Sequence, residues 1–212
     1  MSRAAAFWDR MAERYARSPI PDMPAYLHTL ERTRSLLKPT DRVLELGCGT
    51  GSTALELAKD VQEIVASDVS AKMIAIARQK ATDQNITNVR FVVADLVGQP
   101  ECAETYDAVL AFNLLHLVDD IPAALARIHA RVKPGGLFIS KTVCLSGEGV
   151  PFKVKLIKLV LPIVRAVGFA PAVRFFSVDQ MDVWVRDAGF EILEAGNYPA
   201  SPPRRYLVAR KP

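Results

Sequence analysis

The sequence predicts an α/β protein on a doubly wound, mostly parallel sheet with helices on both faces. Three observations carry that expectation. From Arg42 to Val143, short apolar runs alternate with amphipathic helical patterns, the rhythm of parallel strands joined by helical crossovers. The first run, "RVLELG", passes directly into three glycines within five positions, Gly47-Cys48-Gly49-Thr50-Gly51, and then into a helix. The chain closes with two β-rich runs, near enough in sequence to pair antiparallel, which bring the sheet to seven strands.

Each element follows from local chemistry. Residues 1–38 read as two helices split by "SPIPDMP", whose prolines bar a continuous helix. After "RVLELG" come the helix "STALELAKD", the strand "EIVASD" and the helix "SAKMIAIARQKA" capped by Ser70. "VRFVVAD", "YDAVLAFN" and "GGLFISKTV" supply three more strands. The helix "IPAALARIHARV" has Pro122 in its first turn, Asp119 and Asp120 as candidate caps, and Lys133-Pro134-Gly135-Gly136 as its expected stop. Residues 146–176 break the rhythm: Lys153, Lys155, Lys158, Arg165 and Arg174 accompany Glu148 as the sole acid. Phe152, Leu156, Ile157, Leu159, Val160, Ile163 and Val164 form one apolar face of a helical cover or an ordinary packed helix pair. "SVDQMDVWVRDAGF" is then a helix capped by Ser177 and stopped at Gly189, before the strands "EILEAGNY" and "RRYLVARK". The expected organisation is one domain, 1–212, with an N-terminal helical lid (1–38) and a helical substrate-cover insert (146–176).

Composition excludes several classes. With 212 residues, half of them apolar and 24% charged, the chain suits one globular domain. The charged N-terminus lacks the apolar stretch of a signal peptide, and no apolar run reaches the roughly 18 residues of a membrane span. Three cysteines in no metal-ligand spacing point to a reduced, cytoplasmic setting without a metal. The net charge of +4 is uneven: residues 1–140 hold 16 Lys+Arg against 17 Asp+Glu, and 141–212 hold 11 against 6. That basic last third is either a solvated face or favours an anionic substrate or membrane surface. No basic stripe is interleaved with stacking aromatics, so nucleic acid is not an expected partner.

The glycine loop raises the chemical question. Glycines crowd where a ligand or neighbouring group approaches the backbone too closely for side chains. Dinucleotide loops follow G-x-G-x-x-G, with the pyrophosphate on the helix N-terminus; here the third glycine comes one residue early. Glu45, two residues before Gly47, is a poor neighbour for a diphosphate and a good one for a cationic amine. Asp68 ends the second strand, where a carboxylate accepts ribose hydroxyls. A ribose without a pyrophosphate, joined to a cationic amino acid, describes S-adenosylmethionine.

"VLELGCGTG", an acid at the next strand end, "VVADL", "FNLLHLVDD" and "KPGGLFIS", in that order, resemble the class I S-adenosylmethionine-dependent methyltransferases, a Rossmann-like family. Its quinone and phospholipid methyltransferases are among the members this chain is similar to. The likeness spans about Arg42 to Val143, with "DVWVRDAGFEIL" resembling the family's final helix and strand. It implies that Gly47, Gly49 and Gly51, with Glu45, Cys48 and Thr50, border the methionine portion. Thr50 and Ser52 either donate to its carboxylate or cap the helix, and Cys48 is a small packing residue of the motif. Asp68 would hold the ribose, Val69, Met73, Asp95 and Leu96 the adenine, and Asn113 and Leu114 the sulfonium. Met73 is otherwise core, and Asp95 otherwise caps a turn. Tyr15, in "FWDRMAERYAR", would close over the cofactor, the alternative being a plain apolar helix face shared with Phe7 and Trp8.

Acceptor contacts are expected at Trp8, His116, Phe152 and Phe176. His116 is the candidate catalytic base or substrate ligand, against a structural hydrogen-bonding role. His28 and His129 lie away from the working edge. Lys141, inside a strand, either points from the sheet end or is neutralised by a carboxylate. The expected activity is in-line methyl transfer to a small apolar or amphipathic O-, N- or C-nucleophile, quinone- or lipid-like among the options, with peripheral membrane contact open through 150–170. Rival readings are a nicotinamide-dependent reductase and a non-catalytic S-adenosylmethionine-binding scaffold.

Overall fold

Apolar side chains on both faces of the same strand dictate a sheet covered from both sides, and the computed structural model, which describes residues 2–95, 104–151 and 173–212, has that architecture. Helices α1 (Arg3–Arg17) and α2 (Met23–Arg34) precede β1 (Arg42–Leu46). Then follow α3 (Ser52–Leu57), β2 (Glu63–Asp68), α4 (Ala71–Asp83), β3 (Val89–Val93), β4 (Tyr106–Phe112), α5 (Ile121–Arg131) and β5 (Val132–Val143). We label Val178–Asp187 α6; β6 (Glu191–Ala200) and β7 (Pro203–Arg210) complete the seven strands. Their order is β3-β2-β1-β4-β5-β7-β6. The pairs among β1 to β5 are parallel, and β7 runs antiparallel to both β5 and β6. The winding reverses between β1 and β4, which opens a crevice at their carboxyl ends.

Strand alternation divides the core. Leu44, Leu46, Val109 and Phe138 pack with Leu125 and Ile128 of α5 and with Met181 and Val185 of α6. Val43, Ile64, Leu110 and Ile139 pack with Leu57, Ile74 and Leu30 on the other side. Ser70, Asp120 and Ser177 accept backbone N–H bonds as N-caps of α4, α5 and α6, and Gly189 follows α6 with φ +93°. Among the described residues no helix is long and apolar enough to cross a membrane.

Three local expectations need correction. The α5 helix ends at Arg131, and Lys133-Pro134-Gly135-Gly136 belongs to β5. A Cβ at Gly136 would lie 2.8 Å from the Asp107 carbonyl, so that glycine serves strand packing and not a helix stop. Asp119 does not cap α5; it pairs with Arg174 at 2.9 Å. Among the described residues Lys141 meets no carboxylate at hydrogen-bond distance: buried in β5, its Nζ donates to the Ala25 carbonyl (2.9 Å) and Thr29 Oγ1 (3.1 Å), anchoring α2 to the sheet.

Candidate functional site

The glycine loop occupies the turn between β1 and α3 at the mouth of the crevice. All three glycines have positive φ (+65°, +54° and +75°), but their reasons differ. A Cβ on Gly47 would come within 2.7 Å of the Leu114 side chain, and one on Gly51 within 2.7 Å of Phe91 and 2.9 Å of Ala77. Those two make room for the protein itself. Among the described residues Gly49 meets only the Tyr15 ring within 4 Å, at 3.7 Å from the same test position. It is the glycine whose face is left for a ligand.

Two carboxylates flank this face. Asp68, the last residue of β2, accepts from the Gly49 amide through Oδ2 and from the Ser70 amide through Oδ1, both at 2.9 Å. Burial nevertheless pushes its pKa up, against the pull of those amides. Glu45 is buried at 3% exposure. It takes one backbone hydrogen bond, from Ala54 in the first turn of α3, and burial, reinforced by the Asp68 charge, pushes it up to about 8. Its Oε2 has no partner, and neither carboxylate is ion-paired among the described residues. Two desolvated carboxylates with no cation between them form a site for one.

Helix α1 covers this pair. Asp9 accepts from Ser70 Oγ (2.6 Å) and from the Lys72 amide (3.1 Å), fastening the helix to the segment after Asp68. Phe7, Trp8 and Tyr15 stand edge-to-face along α1, with ring centroids 5.2 and 6.3 Å apart. Tyr15 is 50% exposed. Desolvation first, then the charges of Asp68 and Glu45, push its phenol pKa up.

Thr50 and Ser52 do not cap α3, whose N-cap is Gly51 without a side-chain bond. Lys80 Nζ instead donates to both hydroxyls, at 3.1 and 3.3 Å. Cys48 is buried beside Glu45 and Asp68, its thiol pushed well up by desolvation, so it is no nucleophile. Val69 is half-buried, Met73 is fully buried, and Asp95 is exposed at the edge of the described segment. Leu96 and Phe152 lie outside the described residues.

Past β4, Asn113 adopts φ +54° and its N–H donates to the Lys141 carbonyl at 2.7 Å. His116 follows in a 3-10 turn, Leu115–Leu117. Its Nδ1 is buried without a partner among the described residues. Burial, with the Arg204 charge, pushes the imidazole down to about 4, leaving it neutral at pH 7 and a weak base. Phe176 offers no open face to an acceptor: 1% exposed, it packs in the core against Trp184 at 5.4 Å. Its apolar flank belongs to α6, which the sequence pattern could not distinguish from an acceptor contact. His28 packs at a tilt on Tyr198 and His129 edge-to-face on Phe190, outside the site. Sequence reasoning missed Asp9 and Arg204. The antiparallel register of the last two strands was the available signal for Arg204, since it puts the start of β7 at the crevice.

Residues 43–136 match the model of a methyltransferase domain. A demethylmenaquinone methyltransferase of Corynebacterium glutamicum is 31% identical over 160 residues, covering 74% of this chain and 66% of that protein. The mitochondrial arginine-hydroxylase NDUFAF5 of Danio rerio is 28% identical, covering 77% of this chain and 49% of that one. The chain thus spans between about half and two thirds of the length of these relatives. Among solved structures, a DhpI–S-adenosylhomocysteine complex superposes with TM-score 0.74 at 23% identity, over 99% of this chain and 95% of that one. Magnesium protoporphyrin IX methyltransferase of Synechocystis does so with 0.72 at 20%, over 99% and 96%.

Proposed function

The chain belongs to the class I S-adenosylmethionine-dependent methyltransferase family, and from that premise we propose that it transfers a methyl group from S-adenosylmethionine to a small apolar or amphipathic acceptor. The observation that carries the reading is the pair of acids beside the open face of Gly49, buried Glu45 and half-buried Asp68, with no ion-pair partner among the described residues. The cofactor is a cation with a sugar, an amine and a sulfonium, and this pair answers the first two. Glu45 meets the ammonium, and Asp68, already oriented by two amides, has lone pairs left for the ribose hydroxyls. Val69 and Met73 pack on the adenine, Asp95 and Leu96 meet its edge, and Asn113 and Leu114 border the sulfonium. Tyr15 and Trp8 close the mouth.

When bound, the cofactor supplies an electrophilic methyl with its own leaving group, so the protein needs alignment and exclusion of water more than catalytic groups. Helix α1 excludes water. A neutral His116 orients an acceptor hydroxyl or amine through Nδ1, and with its low proton affinity it acts as positioning group more than as base. Two relatives are named demethylmenaquinone methyltransferase and ubiquinone/menaquinone biosynthesis C-methyltransferase, which supports a ring-bearing apolar acceptor. A cytoplasmic protein touching anionic lipid through 150–170 fits such an acceptor, and co-sedimentation with anionic vesicles tests that contact.

The main test is calorimetric titration of S-adenosylmethionine into wild type and Asp68→Ala, followed by mass-spectrometric detection of S-adenosylhomocysteine with quinol, phenol and amine acceptors. Binding that Asp68→Ala weakens at least tenfold, with turnover on one acceptor class, supports the proposal. Absence of binding refutes it. NADH in the same titration separates the reductase reading.

A further inference from the structure

The end of the crevice away from Glu45 and Asp68 has the opposite charge. Because β7 runs antiparallel, its first residues lie at the carboxyl ends of the parallel strands, and Arg204 stands opposite Val143, the last residue of β5. There its charge acts on Lys141, His116 and Tyr15, which places the guanidinium at the rim between β5, the turn after β4 and the cover helix. Among the described residues Arg204 Nε is buried with neither a hydrogen-bond partner nor an ion-paired carboxylate. Among the described residues its neighbour Lys141 donates only to neutral oxygens.

A guanidinium with a buried, unsatisfied N–H beside a second cation is costly unless something anionic completes it. The planar fork of arginine suits carboxylate or phosphate oxygens. We propose that Arg204, backed by Lys141, forms an oxyanion subsite at the acceptor end of the crevice, and that the methyl acceptor is an apolar small molecule bearing a carboxylate or phosphate group. The word acceptor rests on the methyltransferase reading; the anion subsite does not. The crevice is then polar along its length, with a cation seated at β1 and β2 and an anion at β5 and β7.

The test titrates octanoate, octyl phosphate and octanol into wild type, Arg204→Gln and Arg204→Lys, each with and without saturating S-adenosylhomocysteine. One or both anionic probes are expected to bind wild type at least tenfold tighter than octanol, and the stronger of the two identifies the headgroup. Arg204→Gln is expected to remove that preference and Arg204→Lys to keep part of it, with S-adenosylhomocysteine affinity within twofold throughout. Equal binding of all three probes by wild type, or a preference that survives Arg204→Gln, overturns the subsite. Loss of S-adenosylhomocysteine binding with the anion preference intact overturns the methyltransferase reading alone.

Discussion

Glu45→Gln isolates what it costs to hold a carboxylate at the end of β1. The ordinary value of 4.5 rises to about 8 in the folded chain, and at about 1.4 kcal/mol per tenfold this difference sets a ceiling of roughly 5 kcal/mol. The native state keeps its proton at a pH where the unfolded chain has lost it, so stability falls as pH rises. Below about 4.5 both states are protonated and nothing is lost; through about 8 the loss accumulates, and above it is complete. Glutamine has the same shape and still accepts from the Ala54 amide, but it does not titrate. Urea unfolding of ligand-free wild type and Glu45→Gln from pH 5 to 9 is therefore expected to give similar stabilities at pH 5. By pH 8 the variant should be more stable by several kcal/mol. Titration of S-adenosylmethionine at pH 7, in buffers of different ionisation heat, should release up to one proton from wild type and none from the variant. A stability difference that stays constant from pH 5 to 9 would refute the argument.

Gly51→Ala meets Phe91 and Ala77 in a left-handed backbone and is expected to lose about 2–4 kcal/mol in urea unfolding. Gly49→Ala has no such clash and should lose about 1 kcal/mol, yet weaken S-adenosylmethionine at least tenfold in calorimetry; the reverse ranking would contradict the packing described. Asp9→Ala removes the bonds to Ser70 and Lys72, so α1 amides should exchange hydrogen faster while those of β1 and β4 do not change. Asp182 pairs with Arg205 beneath α6, with an Nε–Oδ1 distance of 3.0 Å, so Asp182→Ala strands a half-buried guanidinium and should cost about 3 kcal/mol. Adding Arg205→Met should recover part of it.

The strands and their caps were legible because each is decided locally. Buried parallel strands require apolar runs, and Ser70, Asp120 and Ser177 announce the helices that follow them. The glycine loop and the acids Glu45 and Asp68 were legible for the same reason, being set by one strand–loop–helix unit and the next strand end. What the sequence hid depends on contacts between distant segments. Asp9 matters because α1 folds back onto α4, 61 residues away, and Arg204 because β7 inserts between β5 and β6. Gly47 and Gly51 looked like ligand-facing positions but yield to Leu114 and Phe91, neighbours that no local pattern reveals. Lys133-Pro134-Gly135-Gly136 read as a helix stop because Pro and Gly usually punctuate; here the bulge between Tyr106 and Ala108 accommodates them inside a ladder. Phe176 was misjudged because an aromatic in a basic, apolar stretch has the same signature whether it lines a cleft or packs under a helix.

The direction of β7 also fixes where a spectroscopic ruler can be mounted. The strand enters at the crevice and leaves at the opposite rim, where the Lys211 amide donates to the Gly136 carbonyl at 3.0 Å and its carbonyl accepts from the Gly135 amide at 2.8 Å. A dye on that rim is fixed to the sheet, while a dye on the outer face of α1 sits on the helix that carries Phe7, Trp8 and Tyr15. Energy transfer between the two reads the gap between roof and floor in real time, with neither label touching the chemistry.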